Sequence, residues 1–320
     1  MIDLVTGGAG FIGSHLVDEL VRRGRRVRVV DDFSSGRREN LAAVGDAVDI
    51  VEADILDTAA LGQAMRDVER VFHQAALRSV PRSVDDPAGS NRVNVEGTLN
   101  VLLAAREAGV RRVVYASSSS VYGDAASLPL REDGGTLPVS PYAVSKLAGE
   151  HYGRVFTRVY GLPTVGLRYF NVFGPRQDPA SRYAAVIPRF IQAALRGESL
   201  EIHGDGRQSR DFTHVRNVVL ANCLAAERPE AIGEAFNVAC GQRISLMEIV
   251  ERLKVRLQRE GFGVRWHHVA ARAGDVRHTE ASIVKAERLL GYRVAVGFDE
   301  GLDETVDALV SALAVSQSVG

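Results

Sequence analysis

The stretch Val5-Thr6-Gly7-Gly8-Ala9-Gly10-Phe11-Ile12-Gly13 decides which fold this chain of 320 residues can adopt. It follows an apolar, β-type run at residues 2–5 and opens an amphipathic segment. Gly7 permits a tight turn, Gly10 lets backbone N–H groups approach a pyrophosphate at a helix N-terminus, and Gly13 lets helix and strand pack closely. Glycine spacing alone is weak evidence, but between a strand and a helix it predicts a dinucleotide site that includes Phe11 and Ile12.

Beyond this loop, short β-branched runs alternate with longer amphipathic stretches through the first half of the chain. Such alternation is typical of parallel strands joined by helices, since both faces of the sheet are then buried. We therefore expect an α/β protein built on a Rossmann-type doubly wound parallel sheet. The predicted strands are residues 2–5, 27–30, 48–51, 71–72, 113–115 and 165–168, and the predicted helices are 14–23, 58–67, 93–108 and 142–160.

An acidic residue ends the second predicted strand. Asp31 follows the glycines by about 20 residues, where its carboxylate would accept the adenosine ribose hydroxyls and repel a 2′-phosphate, so NAD is favoured over NADP. Arg37 and Arg38 leave NADP as an alternative, although a solvated loop face is the better interpretation. Asp54, followed by Ile55, has two equal interpretations: an acceptor for the adenine amino group, or a cap of the next helix.

Composition and charge argue against several classes of protein. Hydrophobic residues make up 46% and charged residues 25%, and the net charge of -1 gives no electrostatic reason to expect nucleic acid or an anionic membrane as a partner. Cys223 and Cys240 have neither disulfide-framework nor metal spacing, and the adjacent His267 and His268 lack a further ligand, so no metal site is predicted. Without a signal-type N-terminus or a long apolar stretch, we expect a cytoplasmic protein.

The sequence pattern changes after Arg168. Glycine and proline recur in loops there, and the segments with helical or strand periodicity become short. We expect residues 1–168 to form the NAD-binding domain, with a returning segment near 212–240. Residues 169–211 and 241–315 are then expected to form a smaller C-terminal α/β lobe that binds the substrate.

A possible acid–base pair lies at the start of the last predicted helix. Tyr142 and Lys146 are four residues apart, on one face of that helix, and a nearby ammonium lowers the pKa of a phenol toward neutrality. A solvated Tyr–Lys pair is the alternative for this spacing alone. The serine run at 117–120 favours chemistry, because catalytic groups gather at the carboxyl ends of parallel strands and a hydroxyl there can relay a proton.

These motifs together resemble a known family. The glycine loop, the serine run, Ser140-Pro141-Tyr142-Ala143-Val144-Ser145-Lys146 and Leu167-Arg168-Tyr169-Phe170-Asn171-Val172-Phe173-Gly174 are similar to those of extended short-chain dehydrogenases of the UDP-hexose 4-epimerase group. The resemblance implies that Tyr142 is the base, Ser118 its hydroxyl partner, and Lys146 the residue that holds the nicotinamide ribose. It adds Gln74, Ala75, Ala76, Arg78 and Asn94 to the cofactor site.

The resemblance also implies a UDP-sugar site in the second lobe. Arginines suit diphosphates through their bidentate geometry, and residues 200–204 would lie along the uracil. The substrate-binding residues implied are Arg78, Ser118, Ser119, Tyr142, Tyr169, Asn171, Leu200, His203, Arg210, Arg272, Asp275 and Thr279.

The predicted reaction is C4 epimerisation through a 4-keto sugar. Relatives that dehydrate or decarboxylate carry acidic residues beside the hydroxyl, whereas this chain has Ser119 and Ser120. A small residue, Thr279, aligns with the wall near C2 of the sugar, and the loops at 74–83 and 174–179 look most like those of UDP-GlcNAc 4-epimerases from surface-polysaccharide pathways. UDP-GlcNAc/UDP-GalNAc is therefore the first choice.

Several alternatives stay open. UDP-glucose/UDP-galactose and UDP-glucuronate are other possible epimerase substrates. A net nucleotide-sugar oxidoreductase would consume external cofactor, and a non-catalytic NAD-binding regulator could share the fold. The resemblance further implies a homodimer whose interface is built from the helices at 93–108 and 142–160.

Overall fold

The computed structural model describes residues 1–124, 127–179, 185–270 and 277–318. The strands are β1 (Ile2–Thr6), β2 (Arg26–Asp31), β3 (Val48–Glu52), β4 (Val68–His73), β5 (Arg112–Ser118), β6 (Thr164–Tyr169), β7 (Val172–Phe173), β8 (Ser199–His203), β9 (Ser209–Arg210), β10 (Thr213–His214), β11 (Ala235–Val238), β12 (Ile244–Ser245) and β13 (Arg265–Val269). The helices are α1 (Phe11–Arg22), α2 (Thr58–Ala64), α3 (Val80–Asp85), α4 (Pro87–Asn91), α5 (Gly97–Glu107), α6 (Pro141–Tyr160), α7 (Val186–Leu195), α8 (Val215–Glu227), α9 (Leu246–Gln258), α10 (Val284–Leu290) and α11 (Phe298–Ser318).

The main sheet has seven strands in the order β11-β6-β5-β4-β1-β2-β3, and every neighbouring pair is parallel. The chain runs outward from β1 to β3 and then restarts on the other side of β1 with β4. Ligands bind at the carboxyl ends of strands where the order reverses in this way. Register pairs Thr6 with His73 and Ser118 with Tyr169, so these strand ends lie along one edge.

The predicted doubly wound sheet is confirmed, and its boundaries differ for identifiable reasons. The predicted strand at 71–72 covers only the apolar part of β4. The observed strand begins at Val68 and includes the charged residues Glu69 and Arg70. These charged residues are half-buried because Arg70 pairs with Asp3 at 2.6 Å and Glu69 pairs with Arg25 at 2.5 Å. Because these residues are charged, the sequence pattern does not identify them as part of a buried strand.

Helices cover both faces of the sheet. On one face α1, α8 and α10 share a core with the sheet, contributing Leu16, Val218 and Leu290. On the other face α2, α5 and α6 pack through Leu61, Val101 and Phe156. The position of α10 attaches residues 284–290, which the sequence assigns to the second lobe, to the main sheet.

A smaller lobe has its own core. Phe190 of α7, Ile202 of β8, Leu253 of α9 and Leu302 of α11 are all fully or almost fully buried in it. Parallel pairing of β8 with β13 supports one side, and the short pairs β7–β10 and β9–β12 lie between this lobe and the main sheet.

Within the described ranges, no helix combines the length and apolar character needed to span a bilayer. Cys223 is buried, Cys240 is half-buried, and both are free thiols. Burial raises the pKa of Cys223 to about 11, so its thiol stays protonated near neutrality.

Candidate active site

The glycine loop forms a cradle at the amino end of α1. Gly7 adopts a positive φ of 67°, and a Cβ on Gly13 would lie 2.1 Å from the Gly7 carbonyl oxygen, so the turn has room for glycine only. The first turn of α1 has no acidic residue, and no side chain of the described residues caps its backbone N–H groups. Those N–H groups face a cleft lined by Gly7, Gly10, Phe11, Ile12 and Gly13, which is a suitable place for a pyrophosphate.

Asp31 closes the ribose end of the cleft. Its side chain is only 6% exposed, and its two oxygens accept backbone hydrogen bonds from Ala9 and Phe33, both at 2.9 Å. A carboxylate oxygen has a further lone pair, so each can also accept a ribose hydroxyl. Burial raises the pKa of Asp31, and the two backbone N–H groups act in the opposite direction.

Arg37 and Arg38 are already engaged by carboxylates. Arg37 pairs with Asp178 at 3.0 Å, and Arg38 pairs with Glu52 while stacking on the Phe33 ring at 4.1 Å. With Asp31 at the ribose position, this arrangement fits NAD and opposes a 2′-phosphate.

The structure distinguishes the two interpretations of Asp54. Helix α2 is capped by Asp57, whose carboxylate accepts from the N–H groups of Ala59 and Ala60. Asp54 and Ile55 instead line the cofactor cleft. The capping interpretation of Asp54 is therefore wrong, and the residue faces the region where an adenine would lie.

The segment after β4 forms the middle of the cleft wall, with Gln74, Ala75, Ala76 and Arg78 among the lining residues. Asn94 lies behind this wall, and its neighbour Val93 takes the lining position. The Asn94 amide accepts from Leu77 N at 2.8 Å and donates to Leu77 O and Ser145 Oγ, both at 3.0 Å. Asn94 thus ties the segment to α6 instead of facing the cleft as the sequence suggests.

Tyr142 and Lys146 enter the same cleft from the first turns of α6. Ser140 caps this helix by accepting from Ala143 N, and Ser83 Oγ accepts from Tyr142 N at 3.0 Å. Ser118, at the end of β5, is near enough to the Tyr142 phenol to lower its pKa, while its own Oγ donates to Ser120 Oγ at 3.0 Å. The structure therefore brings together the three residues that the sequence selects from separate elements.

The pKa of the Tyr142 phenol is set by burial and by its polar and charged neighbours. Burial raises the pKa of the phenol, while the Ser118 hydrogen bond and the Arg78 charge act in the opposite direction. The Lys146 ammonium lies 5.9 Å from the Tyr142 ring centre, as the helical spacing predicts, and donates to Ala116 O at 3.0 Å. Burial also lowers the pKa of Lys146 to about 8. Arg78 is the permanent cation near the phenol.

A buried ionic network under the site was missed by the sequence analysis. Arg168 and Glu150 are 2% and 1% exposed and share two hydrogen bonds of 2.8 and 2.7 Å. Ser117 Oγ donates to Glu150 at 2.6 Å, so α6, β5 and β6 are joined directly beneath the reacting groups. The available signal was the position of Glu150, one helical turn after Lys146.

Tyr169 also lines the cofactor cleft, and its hydroxyl donates to Gln74 Oε1 at 3.1 Å and accepts from Asn222 at 2.8 Å. Burial raises the pKa of Tyr169 to about 12, so it stays a neutral wall residue near Tyr142. Ser119 follows Ser118 in a half-buried turn.

A second cleft lies in the smaller lobe, lined by Asn171, His203 and Arg210 with Phe173, Phe212 and Leu246 among the apolar residues. Asn171 donates to Asp211 O at 3.0 Å, and Arg210 donates to the Ser209 and Arg277 carbonyls. Leu200 is 1% exposed in the lobe core. Because alternate residues of β8 point inward, the Leu200 side chain packs in this core, and His203 lines the cleft.

Thr279 lies beside this second cleft. Its N–H donates to Ser209 O at 3.0 Å, which joins it to the strand that carries Arg210. Its hydroxyl has no hydrogen-bond partner within the described part of the chain. Arg272 and Asp275, also predicted to bind substrate, lie outside the described residues.

Comparison with known proteins agrees with this geometry. The profile of the NAD dependent epimerase/dehydratase family matches residues 4–239. A relative named UDP-glucose 4-epimerase from Mycolicibacterium smegmatis is 42% identical over 311 residues, which is 96% of this chain and 98% of that protein.

Solved structures extend the likeness across both lobes. The UDP-N-acetylglucosamine 4-epimerase from Methanobrevibacter ruminantium M1, in complex with UDP-N-acetylmuramic acid, is 41% identical with a TM-score of 0.92 and covers 97% of this chain and 98% of its own. The UDP-glucose 4-epimerase from Thermus thermophilus, in complex with NAD, is 37% identical with a TM-score of 0.88, over 98% of this chain and 100% of its own.

Proposed function

We infer, since this chain belongs to the NAD-dependent epimerase/dehydratase family and is an NAD-using UDP-sugar 4-epimerase, that its preferred substrates are UDP-GlcNAc and UDP-GalNAc. The observation that supports the chemistry is that Tyr142 and Lys146 line a dinucleotide cleft, with Ser118 near enough to the Tyr142 phenol to lower its pKa. The second cleft offers Asn171 and Arg210 to a nucleotide diphosphate.

In the proposed reaction Tyr142, as phenolate, takes the proton of the sugar C4 hydroxyl, and Ser118 holds the hydroxyl oxygen through its own hydrogen bond. NAD supplies the hydride acceptor and then the hydride donor. Lys146, which lines the same cleft as Tyr142, would hold the nicotinamide ribose with its ammonium group. After the 4-keto sugar has turned, C4 would accept the hydride on its opposite face while Tyr142 returns the proton to the C4 oxygen, so proton and hydride balance over one turnover.

The residues around Ser118 favour epimerisation over elimination of water or loss of a carboxyl group. Such reactions need a free carboxyl group beside the reacting hydroxyl, and the neighbouring positions are Ser119 and Ser120. The nearby Glu150 is bound on both oxygens by Arg168. A carboxylate held in this way is not available as a general acid.

The choice of sugar rests on the small side chain of Thr279. A bulky residue at this wall would exclude an N-acetyl group at C2, whereas threonine leaves room for it. UDP-glucose is smaller at C2 and fits the same wall, so it is the second candidate, and the M. smegmatis relative favours it by name.

Incubation of purified protein with UDP-GlcNAc, and separately with UDP-glucose, without added NAD tests the proposal. Formation of the C4 epimer, resolved by NMR, is the expected result, with turnover faster for UDP-GlcNAc. Tyr142→Phe is the inactive control. Accumulation of NADH at 340 nm would indicate a net oxidoreductase instead. No turnover of either sugar with NAD added would overturn the proposal and leave UDP-glucuronate or a non-catalytic regulator.

We further propose a cytoplasmic homodimer that pairs through α6. Val144, Val155 and Val159 are 53%, 45% and 67% exposed on one face of this helix. An apolar stripe of this kind on a surface helix supports a partner helix.

A further inference from the structure

The segment Gly174–Asp178 leaves the smaller lobe and attaches to the cofactor domain at several points; we name it the strap. His15 Nε2 donates to Pro175 O at 2.9 Å, and Arg176 pairs with Asp18 at 2.7 Å. His15 and Asp18 both lie on α1, about one turn apart, so they present one face to the strap. Its end residue, Asp178, pairs with Arg37 at 3.0 Å.

The strap holds an unfavourable backbone conformation. Gly174 has φ 150° and Arg176, which is not a glycine, has φ 64°. Gln177 is 8% exposed and donates to Val172 O at 3.1 Å, which anchors the middle of the strap to β7. A non-glycine residue keeps a positive φ only where its surroundings enforce it, so these contacts outweigh the local strain.

Arg37 is a part of the ribose corner. Its N–H donates to Ala9 O at 3.0 Å, in the glycine loop. The preceding Gly36 packs so closely on Asp31 that an added Cβ would lie 2.7 Å from a carboxylate oxygen. A displacement of Arg37 would therefore also displace the glycine loop and the Asp31 segment. These are the two elements expected to hold the adenosine half of the dinucleotide.

Asp178 also acts on the opposite side of the cleft. The Arg78 side chain reaches into the cleft and is crowded by protein atoms, which lowers the pKa of its guanidinium, while the charges of Tyr142 and Asp178 act in the opposite direction. Asp178, on the smaller lobe, thus faces cations from both walls of the cofactor site.

We propose that the Arg37–Asp178 ion pair is a cofactor-retention contact, through which the strap fastens the smaller lobe over the cofactor site and slows the dissociation of NAD. The inference rests on NAD binding and is independent of which sugar is turned over. An epimerase regenerates its cofactor in each turnover, so slow loss of NAD is an advantage that a net oxidoreductase would not have.

Release of NAD from the purified holoenzyme is measured with no sugar nucleotide present. Lactate dehydrogenase and lactate capture the released NAD, and NADH absorbance at 340 nm gives the rate. Asp178→Asn and Arg37→Gln are each expected to speed release about two- to fivefold, as for a partly exposed ion pair. Arg252→Gln, which removes the exposed Arg252–Asp299 pair within the smaller lobe, is the matched control.

Asp178→Asn is the decisive variant. Loss of its negative charge should slow release if Asp178 only repels the cofactor phosphates, whereas the strap requires faster release. The double variant should release NAD no faster than Asp178→Asn alone, because that variant has already lost the contact with Arg37. Unchanged or slower release from Asp178→Asn, or additive effects in the double variant, would overturn the proposal without touching the proposed substrate.

Discussion

Among single residues, Tyr142 has the protonation state that matters most for the reaction. In the proposed reaction the phenolate is the base, and burial raises the pKa of the phenol, so activity should fall as the pH drops through that pKa. Ser118 and Arg78 are the neighbours that oppose the effect of burial.

We therefore predict that Ser118→Ala and Arg78→Met each move the acidic limb of the kcat/KM profile to higher pH. The sign follows because each change removes an interaction that lowers the pKa of Tyr142. Ser118→Ala should also reduce kcat by about 10²-fold or more, since a positioned proton-transfer group is lost. Arg82→Met, an exposed position on α3, is the control. A limb that stays in place in both variants would contradict the assignment.

Thr279 carries the prediction on sugar choice at the same scale. Thr279→Tyr should reduce kcat/KM for UDP-GlcNAc by about tenfold or more, because a bulky ring would occupy the space of the N-acetyl group. Turnover of UDP-glucose should be retained. The ratio of the two kcat/KM values is the readout, and an equal loss for both sugars would show that Thr279 does not contact C2.

Among the elements, the turn between β1 and α1 tolerates the least change. Gly13→Ala would place a Cβ against the backbone of Gly7 and Gly8 and is expected to cost about 1–3 kcal/mol and weaken NAD binding. Gly62→Ala in α2 meets nothing within 4 Å and should stabilise the protein by about 0.5–1 kcal/mol. Urea unfolding of the pair measures both. A neutral Gly13→Ala would mean that the turn can relax.

The joint between α6, β5 and β6 depends on the Glu150–Arg168 pair. Glu150→Gln leaves a buried guanidinium without its counter-charge and should reduce the free energy of unfolding by about 3–5 kcal/mol. Asp133→Asn breaks the exposed pair with Arg131 and should leave stability unchanged. Equal midpoints for the two variants in a urea titration would refute the structural role of the buried pair.

For the molecule as a whole, the exposed valines of α6 predict self-association. Val155→Glu should convert the dimer to a monomer, because a carboxylate would be desolvated in the helix–helix contact. Val255→Glu, on the exposed face of α9, should not change the mass in solution. Light scattering coupled to gel filtration measures both, and a monomeric parent protein would disprove the dimer outright.

Features that depend on residues close together in the sequence were predicted, whereas features that depend on distant partners were not. The glycine loop, Asp31 and the Tyr142–Lys146 spacing are local patterns, so the sequence alone was sufficient to predict a doubly wound sheet and to place these residues along one cleft. The epimerase family was also predicted from the sequence, because the motifs that identify it are short continuous stretches. Strand ends with charged residues, such as Glu69 and Arg70, escaped because their burial depends on partners far along the chain.

Only the folded chain reveals which groups neutralise one another. Glu150 meets Arg168 and Ser117 through the pairing of β5 with β6, and Asp178 meets Arg37 across the two lobes. Likewise, Arg78, from another element of the chain, is a cation that acts on Tyr142. Composition and periodicity carry burial and local backbone preference, whereas charge pairing depends on distances of a few ångströms that only tertiary packing sets.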